Sequence, residues 1–342
     1  MMSFADRRFR VYGTIFLCLL LSEQLSASNP SPDSDVIKKL SASQLLKSMS
    51  DASRTASYNG RFIYMANGKL RSLKVIHTNH DGQEFERLKP LSGGGPEILR
   101  KGNELICIHP SGDFTRIENS IPTGLFSNKF SNIDEGIDSI YQLVHKGKGH
   151  IAGRIATKYL MRPQDEYRYA HIIWLDDESG LLLKTTLLGG KGQDLETFEF
   201  VELNVGVDVP QNLFDYQSDS DVNKSLVVNL SGKMSTNLDS GWKAEWVPDG
   251  FNMAACDVRR LSAESAEVNA LVYSDGMSSF TIYIEPFSPS KENEPMPQSH
   301  HGATAIYSRN VDDGSGKIMV TVVGELPMSA IKKIGASVVR KK

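Results

Sequence analysis

A long succession of short alternating apolar runs, separated by glycine-containing turns, occupies residues 58 to 205 and most constrains what this chain can form. In "YNGRFIYMANGKLRSLKVIHT" two such runs flank Asn67-Gly68, and the turns at 81–82, 102–103 and 111–112 repeat the device. Asn-Gly and Asp-Gly between alternating segments are typical of antiparallel hairpins. The pattern predicts a meander, and further strands are predicted at 151–162, 167–175, 181–188 and 196–205.

A sheet of roughly ten strands tends to curl. The first half of the chain is therefore predicted to be a large curled antiparallel sheet, a half-barrel around helices. Such curling produces an apolar concavity, but a filled hydrophobic core explains the same residues equally well. Alternation alone does not say which strand face is inside. The candidate lining residues are Phe62, Tyr64, Val75, Ile106, Trp174, Leu183 and Phe198.

Two helices are predicted to accompany this sheet. Residues 41–57 place Leu45, Leu46 and Met49 near helical spacing behind a serine cap. Residues 133–145 place Ile137, Ile140 and Val144 on one helical face.

The first residues have the pattern of a secretory signal. Arginines precede an apolar run over 11–21, and the small residues Ser26-Ala27-Ser28 offer a cleavage site. The run is shorter than the roughly 20 residues that span a bilayer, although a single-pass anchor is the alternative. Cys18 lies inside the run, too early for a lipoprotein signal. Residues 1–28 are therefore predicted to be a signal peptide, and the mature chain is expected to be exported.

Two cysteines, Cys107 and Cys256, remain in the exported chain, where a disulfide is chemically permitted. Both lie in apolar strand-like segments, and free cysteines are often buried. Two independent buried thiols are the favoured interpretation. Without a CxxC motif, neither a thiol oxidoreductase nor a zinc ribbon is indicated.

A change in composition, from alternating apolar runs to a polar segment, divides the chain. Residues 29–217 form the predicted half-barrel domain, and the Ser, Asp and Asn-rich segment 218–241 reads as a linker with one short apolar run. Residues 242–342 are predicted to be a small α+β domain of antiparallel strands. Its centre is the hairpin "LVYSDGMSSFTIYIEP" at 271–286, and its last helix is predicted at 327–334 with proline at the start.

Charge and motifs exclude several classes of protein. The net charge is −3 and falls to about −4 when the predicted signal takes away three arginines and two acids, so a basic nucleic-acid footprint is absent. His77 and His80 lack a third ligand for a metal and are predicted to be surface residues, and His300-His301 is similarly weak. Asp176-Asp177-Glu178 reads as a hairpin turn rather than a calcium loop. No nucleophile, zinc-protease or phosphate-loop motif occurs, so we expect neither an enzyme nor a cofactor.

Four segments of the chain resemble one family, and they follow one another along the chain in the same order as in that family. The central hairpin, "WVPDGF" at 246–251, "VVGELP" at 322–327 and "IWLD…SGL" within 173–181 are similar to the MucB/RseB family of periplasmic negative regulators of the envelope-stress sigma factor. The resemblance covers nearly the whole mature chain. It implies a first domain like the lipoprotein-carrier half-barrel and a smaller second domain.

The resemblance also implies a partner and an effector. The resemblance implies that the protein binds the periplasmic segment of a membrane-spanning anti-sigma factor and shields this segment from a site-one protease. Through this partner the protein would be peripheral to the inner membrane. Lipopolysaccharide or another acylated lipid is then the releasing effector, which would occupy the concavity. Candidate partner-binding residues are Trp246, Tyr273 and Tyr283. A periplasmic lipid or lipoprotein carrier is the alternative function.

Overall fold

A computed structural model describes residues 40–341 except 93, 103, 112–113, 119–135, 216–225, 230–240, 261–266, 288–297, 313 and 315. The predicted signal peptide lies outside these residues and stays a prediction. Within the described ranges, no helix is long and apolar enough to cross a membrane.

The first half of the chain builds one curled sheet of 12 strands, antiparallel as its hairpin pattern predicted except for one parallel pair at its edge. The strands lie in the order β12-β6-β5-β4-β3-β2-β1-β11-β10-β9-β8-β7. The elements of this half are α1 (Ala42–Thr55), β1 (Tyr58–Ala66), β2 (Lys69–His80), β3 (Gln83–Pro90), β4 (Glu97–Lys101), β5 (Glu104–Ile108), β6 (Phe114–Glu118), α2 (Ile137–Ile140), β7 (Tyr141–Ile151), β8 (Arg154–Pro163), β9 (Ala170–Asp176), β10 (Leu182–Leu188), β11 (Asp194–Val205), a 3-10 turn (Gln211–Phe214) and β12 (Leu226–Asn229).

Turn chemistry fixes the hairpins where the sequence indicated. Asn67 and Gly68 have φ of 52° and 69°, and Asp81 and Gly82 have φ of 51° and 82°. Two consecutive positive φ angles are the requirement of the tight hairpin turn that Asn-Gly and Asp-Gly satisfy. The four strands predicted between 151 and 205 are confirmed, with start positions that move by up to three residues.

Helix α1 covers the inner face of this sheet. Ser41 caps it in a capping box: the Gln44 amide donates to Ser41 Oγ at 3.2 Å, and the Ser41 amide donates to Gln44 Oε1 at 3.1 Å. Leu45, Leu46 and Met49 are buried in the hydrophobic cluster of the sheet. This helix confirms the sequence prediction for residues 41–57.

The second predicted helix, over 133–145, is wrong for most of its length. Only Ile137–Ile140 is helical, and from Tyr141 the chain runs extended as the edge strand β7, paired with β8. Tyr141 and Leu143 also satisfy a period of two, so the apolar spacing fitted both structures. Pairing with β8 decides in favour of the strand. Residues 133–135 lie outside the described residues.

The predicted linker also needs correction. Its apolar run forms β12, which pairs in parallel with β6, from Leu226 opposite Thr115 to Asn229 opposite Glu118. Part of the segment 218–241 thus belongs to the first sheet. The domain boundaries themselves stay predictions.

The second half of the chain forms a six-stranded antiparallel sheet, in the order β14-β15-β16-β19-β18-β17, and a two-stranded ribbon β13-β20. Helix α3 begins after its N-cap Pro327 and packs on the sheet through Ile331 and Ile334, as predicted. Arg340 pairs with Trp242 in the ribbon. The elements are β13 (Trp242–Ala244), β14 (Asn252–Arg260), β15 (Glu267–Ser274), β16 (Ser279–Pro286), β17 (Gln298–His301), β18 (Thr304–Asp312), β19 (Lys317–Gly324), α3 (Met328–Ala336) and β20 (Val338–Arg340).

Both described cysteines are free thiols, which confirms the prediction of two independent residues. Cys107 lies in β5 and Cys256 in β14, in different sheets. Cys256 is buried, whereas Cys107 is only partly so. Burial still raises the pKa of the Cys107 thiol, which lowers its reactivity.

Candidate functional site

The inner face of the large sheet is the first candidate site. Phe62 lies 4.8 Å from Phe198 and 5.9 Å from Phe200 between ring centroids, and all three rings are buried. Val75 and Leu183 are fully buried in the same cluster, which α1 covers. Four of the predicted lining residues therefore pack together here, as the filled-core alternative also required.

Tyr64 reaches the rim of this face. It lies opposite Phe198 in the β1–β11 pairing and is half-buried. Its hydroxyl donates to Glu196 Oε2 at 2.6 Å. Burial and this hydrogen bond raise the pKa of the Tyr64 phenol, so it stays a neutral donor.

Ile106 does not join the other lining candidates. It lies opposite Leu99, whose partner in β3 is Arg87, while Val75 lies opposite Leu88 one residue further along that strand. Neighbouring residues of a strand point to opposite faces. Ile106 therefore packs on the other face, in a separate cluster with Leu99 and Phe214.

Trp174 lies at the margin of the inner-face cluster. It lies opposite Lys158 and Lys184. Its neighbour Ile173 lies opposite Thr185, and Thr185 in turn lies opposite Phe198 on β11. The Lys158 ammonium is 5.1 Å from the indole centroid. Gly149 allows this position, since a Cβ there would lie 2.8 Å from the ring. Trp174 is thus out of phase with Phe62 and Phe198, but it is partly buried and still packs against the same hydrophobic cluster.

A polar row crosses the inner face beyond the aromatic cluster. His77, Glu86 and Arg100 lie directly opposite one another on β2, β3 and β4, and all three are buried. His77 Nδ1 donates to the Ala56 carbonyl at 2.8 Å and its ring stacks on Tyr58 at 4.9 Å. The sequence predicted both His77 and His80 at the surface. This is wrong for His77, which is buried, whereas His80 is exposed.

The electrostatics of the row follow from burial. Burial, only partly offset by Arg100, raises the pKa of the Glu86 carboxyl to about 7. Burial also lowers the pKa of His77, so the ring is neutral at pH 7. Among the described residues, His77 Nε2 and Arg100 Nε have no hydrogen-bond partner. The row therefore places a carboxyl with a pKa of about 7 on the buried inner face of the sheet.

The second candidate site is the junction between the two halves of the chain. Arg168, in the loop after β8, donates from Nε to Asp275 Oδ2 at 2.6 Å, and neither side chain is exposed. Its other nitrogens bond to Asp165 and to the Asp249 carbonyl. The guanidinium carbon also lies 4.7 Å from the Phe251 ring centroid. One buried cation thus joins the large sheet to two loops of the small one.

Asp275 is held for this contact by its own turn. It is the aspartate of the Ser-Asp-Gly turn between β15 and β16, and its Oδ1 accepts from the Met277 and Ser278 amides at 2.9 and 2.7 Å. The Tyr141 hydroxyl of the large sheet donates to Oδ2 at 3.3 Å. Met277 is itself buried in the hydrophobic cluster of the large sheet. The tip of the central hairpin is therefore inserted into the first half of the chain.

A second junction contact lies at the rim of the inner face. Glu196, which accepts from Tyr64, also accepts from the Ala303 amide at 2.8 Å, and Asn67 Oδ1 accepts from the Gly302 amide at 2.7 Å. Gly302 has φ of 63°, and a Cβ there would collide with Glu196 Oε1. Glycine is needed at this turn because both its conformation and its neighbour exclude a side chain.

The partner-binding candidates have three different environments. Trp246 belongs to the junction: it lies 5.0 Å from the Tyr167 ring, and the Lys333 ammonium is 3.9 Å from its centroid. Tyr273 is buried and stacks on Phe280 at 5.0 Å, so it is not available to a partner and that prediction needs correction. Tyr283 is 39% exposed on the opposite face of β16, as its phase predicted.

No described residues form a metal centre. The described ranges contain no group of three potential ligands. Asp176 instead accepts from Arg154 Nη2 at 2.8 Å and from the Ser179 amide at 2.9 Å. The Ser179 bond closes the turn between β9 and β10, in agreement with the turn that the sequence predicted, and the Arg154 bond joins this turn to β8.

Sequence reasoning missed the charged residues of the junction. Arg168 and Asp275 are 107 positions apart, and neither stands in a recognisable motif. Glu196 looked like an ordinary strand-terminal acid. The one available signal was the Ser-Asp-Gly turn, whose aspartate could have been a candidate for a contact beyond its own hairpin.

Both halves of the chain match known protein families. Residues 41–218 match the MucB/RseB N-terminal domain family, and residues 236–339 match the MucB/RseB C-terminal domain family. The Pseudomonas aeruginosa sigma factor AlgU regulatory protein MucB is 30% identical over 299 residues, which is 87% of this chain and 90% of that protein.

Two solved structures match the fold over most of its length. A crystal structure of MucB in complex with MucA(peri) has a TM-score of 0.70 at 28% identity and covers 88% of this chain and 99% of that one. A crystal structure of MucB has a TM-score of 0.60 at 25% identity, over 88% and 98% of the two chains. The chain belongs to the MucB/RseB family.

Proposed function

We propose that this protein is a periplasmic regulator that binds the periplasmic segment of a membrane-spanning anti-sigma factor. By holding that segment it protects the anti-sigma factor from site-one proteolysis and restrains the envelope-stress response. The observation that carries the proposal is the match, over nearly the whole of that chain, to MucB in complex with MucA(peri). The partner then keeps this protein at the inner membrane.

The junction supports a binding surface made by both halves of the chain. Arg168 and Asp275 join the halves at one point, and Glu196 joins them to Ala303 at another. The overlap with MucB is also better in the complex, at a TM-score of 0.70, than in the other MucB structure, at 0.60. The described arrangement of the halves is therefore more similar to MucB in that complex than to the other MucB structure.

An acylated lipid is proposed to release the partner through the inner face. Phe62, Val75 and Phe198 are packed under α1, so an acyl chain has to displace that helix or those side chains to enter. Burying an acyl chain gains about 0.8 kcal/mol per CH₂, and six groups supply about 5 kcal/mol. Moving a two-state equilibrium from almost all bound to almost all free takes about 5.5 kcal/mol of differential affinity.

Linkage gives this release mechanism a reciprocal test. If lipid weakens partner binding by some factor, the partner must weaken lipid binding by the same factor. The affinity for lipid A is therefore measured with and without a saturating anti-sigma segment. Agreement of the two affinities within error would reject lipid-driven release while leaving partner binding intact.

Protection from proteolysis tests the regulatory role itself. The anti-sigma segment is incubated with the site-one protease in the presence and absence of this protein, and its half-life is followed. We expect saturating protein to lengthen the half-life in proportion to the bound fraction. No protection, together with transfer of fluorescent lipid between vesicles, would instead support the carrier function.

A further inference from the structure

The outer face of β1–β3 and its border carry several exposed apolar side chains. Of the eight large hydrophobic residues that are most exposed in the described part of the chain, four lie here or at its border. Exposed apolar groups that cluster, rather than scatter, mark surfaces that contact another body. The four residues are Leu70, Val201, Leu91 and Met65, exposed by 58%, 55%, 47% and 37%.

The pairing of the strands brings these side chains together. Met65 lies directly opposite Leu70 next to the β1–β2 turn. Leu91 runs alongside β2, since its amide donates to the Ser72 carbonyl at 2.8 Å. Val201 is at the bulge of β11 that faces Arg61. The apolar groups thus border one stretch of the outer sheet face.

Basic side chains cross the same face in a row. Arg61 lies opposite Lys74, and Lys74 lies opposite Lys89, on three adjacent strands. Arg61 is paired with Glu202. Lys74 and Lys89 make no ion pair with any described residue. Their two positive charges also stand directly opposite each other. Like charges in directly opposite positions destabilise a sheet, so the fold alone gives no reason for this row.

The two sets of residues share one side of the sheet. Side chains alternate between faces with a period of two, so Arg61 and Met65 point the same way on β1, as do Leu70 and Lys74 on β2. This side is opposite to Phe62 and Val75, which face the core. We call the group of Met65, Leu70, Leu91, Val201, Lys74 and Lys89 the basic-apolar face.

We propose that the basic-apolar face docks on an anionic lipid bilayer. Its unpaired lysines match the charge of acidic head groups, and Leu70 and Met65 extend beside them at a hairpin end, where they can enter the head-group boundary. The net charge of the chain is −3, so this attraction is local to the face and not a property of the whole protein. The inference is independent of the partner and of the inner-face lipid.

Vesicle sedimentation tests the proposal with the purified protein. Vesicles of phosphatidylcholine with phosphatidylglycerol are compared with vesicles of phosphatidylcholine alone. We expect binding to the acidic vesicles, weaker binding as salt is raised, and little binding to the neutral ones. Each lysine near an acidic surface contributes about fivefold in affinity, so the Lys74→Gln/Lys89→Gln variant is expected to bind about 25-fold more weakly.

Matched variants elsewhere on the surface provide the control. Lys146→Gln/Lys191→Gln removes the same charge from two exposed lysines outside the face, and Ile155→Ser matches Leu70→Ser at a similar exposure. These controls should bind as the wild type does, and Leu70→Ser should weaken binding. Equal losses in control and test variants, equal binding to both vesicle types, or binding to polyglutamate but not to vesicles would each overturn the proposal. Thermal melts of all variants establish that they are folded.

Discussion

Arg168 and Asp275 form an ion pair of 2.6 Å with no exposure of either side chain, and it joins the two halves of the chain. Both charges lose their hydration in this contact, so the pair is stable only while both members and their further hydrogen bonds are present. Taking away Asp275 leaves the buried Arg168 with Asp165 as its one charged partner, and taking away Arg168 leaves the Asp275 carboxylate buried without a cation beside it. The junction is therefore more sensitive to single substitutions than its small size indicates.

Asp275→Asn is expected to cost about 3 kcal/mol in the free energy of unfolding, because it takes away the fully buried carboxylate of the Arg168 guanidinium and leaves only the partly buried Asp165 as its charged partner. Asparagine keeps an oxygen for the Met277 and Ser278 amides, so the turn itself is preserved. Lys184→Gln breaks the partly exposed pair with Glu199 and should cost about 0–1 kcal/mol. Chemical denaturation measures both. Equal, small effects of the two substitutions would contradict a structural role for the buried pair.

Phe280 and Tyr283 are three residues apart on β16. Truncation of Phe280 should destabilise the fold much more than truncation of Tyr283. Phe280 is 1% exposed and packs against Tyr273 and Phe251, so Phe280→Ala should cost about 3–5 kcal/mol. Tyr283 is exposed, so Tyr283→Ala should change stability by only about 0.5 kcal/mol. Thermal melts distinguish the two. A large loss from Tyr283→Ala with little from Phe280→Ala would reverse the assignment of faces.

Gly302→Ala should weaken the second junction contact. Its φ of 63° disfavours any side chain, and the new Cβ would meet Glu196 Oε1. Gly68 has φ of 69° and open space within 4 Å of where a Cβ would lie, so it is the matched control for the backbone effect alone. We expect about 1 kcal/mol for Gly68→Ala and about 1–3 kcal/mol more for Gly302→Ala. Identical melting curves of the two variants would show that the Glu196 contact contributes nothing.

Glu86 should make stability depend on pH. Its carboxyl has a pKa of about 7 in the folded protein against 4.5 ordinarily, so between these values the folded state holds a proton that the unfolded chain has released. The free energy of unfolding therefore falls as pH rises through this window, by about 3 kcal/mol in all.

Glu86→Gln isolates this effect, because glutamine stays neutral and His77 titrates in both proteins. The stability of the variant relative to the wild type should increase by about 3 kcal/mol from about pH 4.5 to pH 8. Urea unfolding over this range measures it. A difference that does not change with pH would show that Glu86 is charged in the folded state at all these values.

Local sequence signals predicted most of the fold because hairpin turns and alternation are local. Asn67-Gly68 and Asp81-Gly82 fixed their turns from two residues each. The edge strand β7 was missed because its apolar spacing fitted a helix as well, and only pairing with β8 distinguishes the two. The β12 strand was missed for a similar reason, since its partner β6 is more than 100 residues away.

The candidate sites were less predictable because they depend on strand register and on distant contacts. The phase of β9 decides that Ile173, and not Trp174, lies in line with Phe198 across β10. His77 is buried at the end of α1, where the Ala56 carbonyl accepts the hydrogen bond from its ring. Neither relation can be read from the residues themselves. The exposed position of Tyr283 could be predicted, since it follows from its phase against Phe280 alone.

The most direct test of the regulatory account is a calorimetric titration of the anti-sigma periplasmic segment into the intact protein and into residues 242–342 alone. The smaller part has its own hydrophobic cluster, and circular dichroism of residues 242–342 establishes that they are folded before the comparison is made. We expect both to bind and the intact protein to bind more tightly, because the Arg168–Asp275 junction joins surfaces of both halves. Equal affinities would contradict the two-domain binding surface, and no binding by the intact protein would contradict the account as a whole.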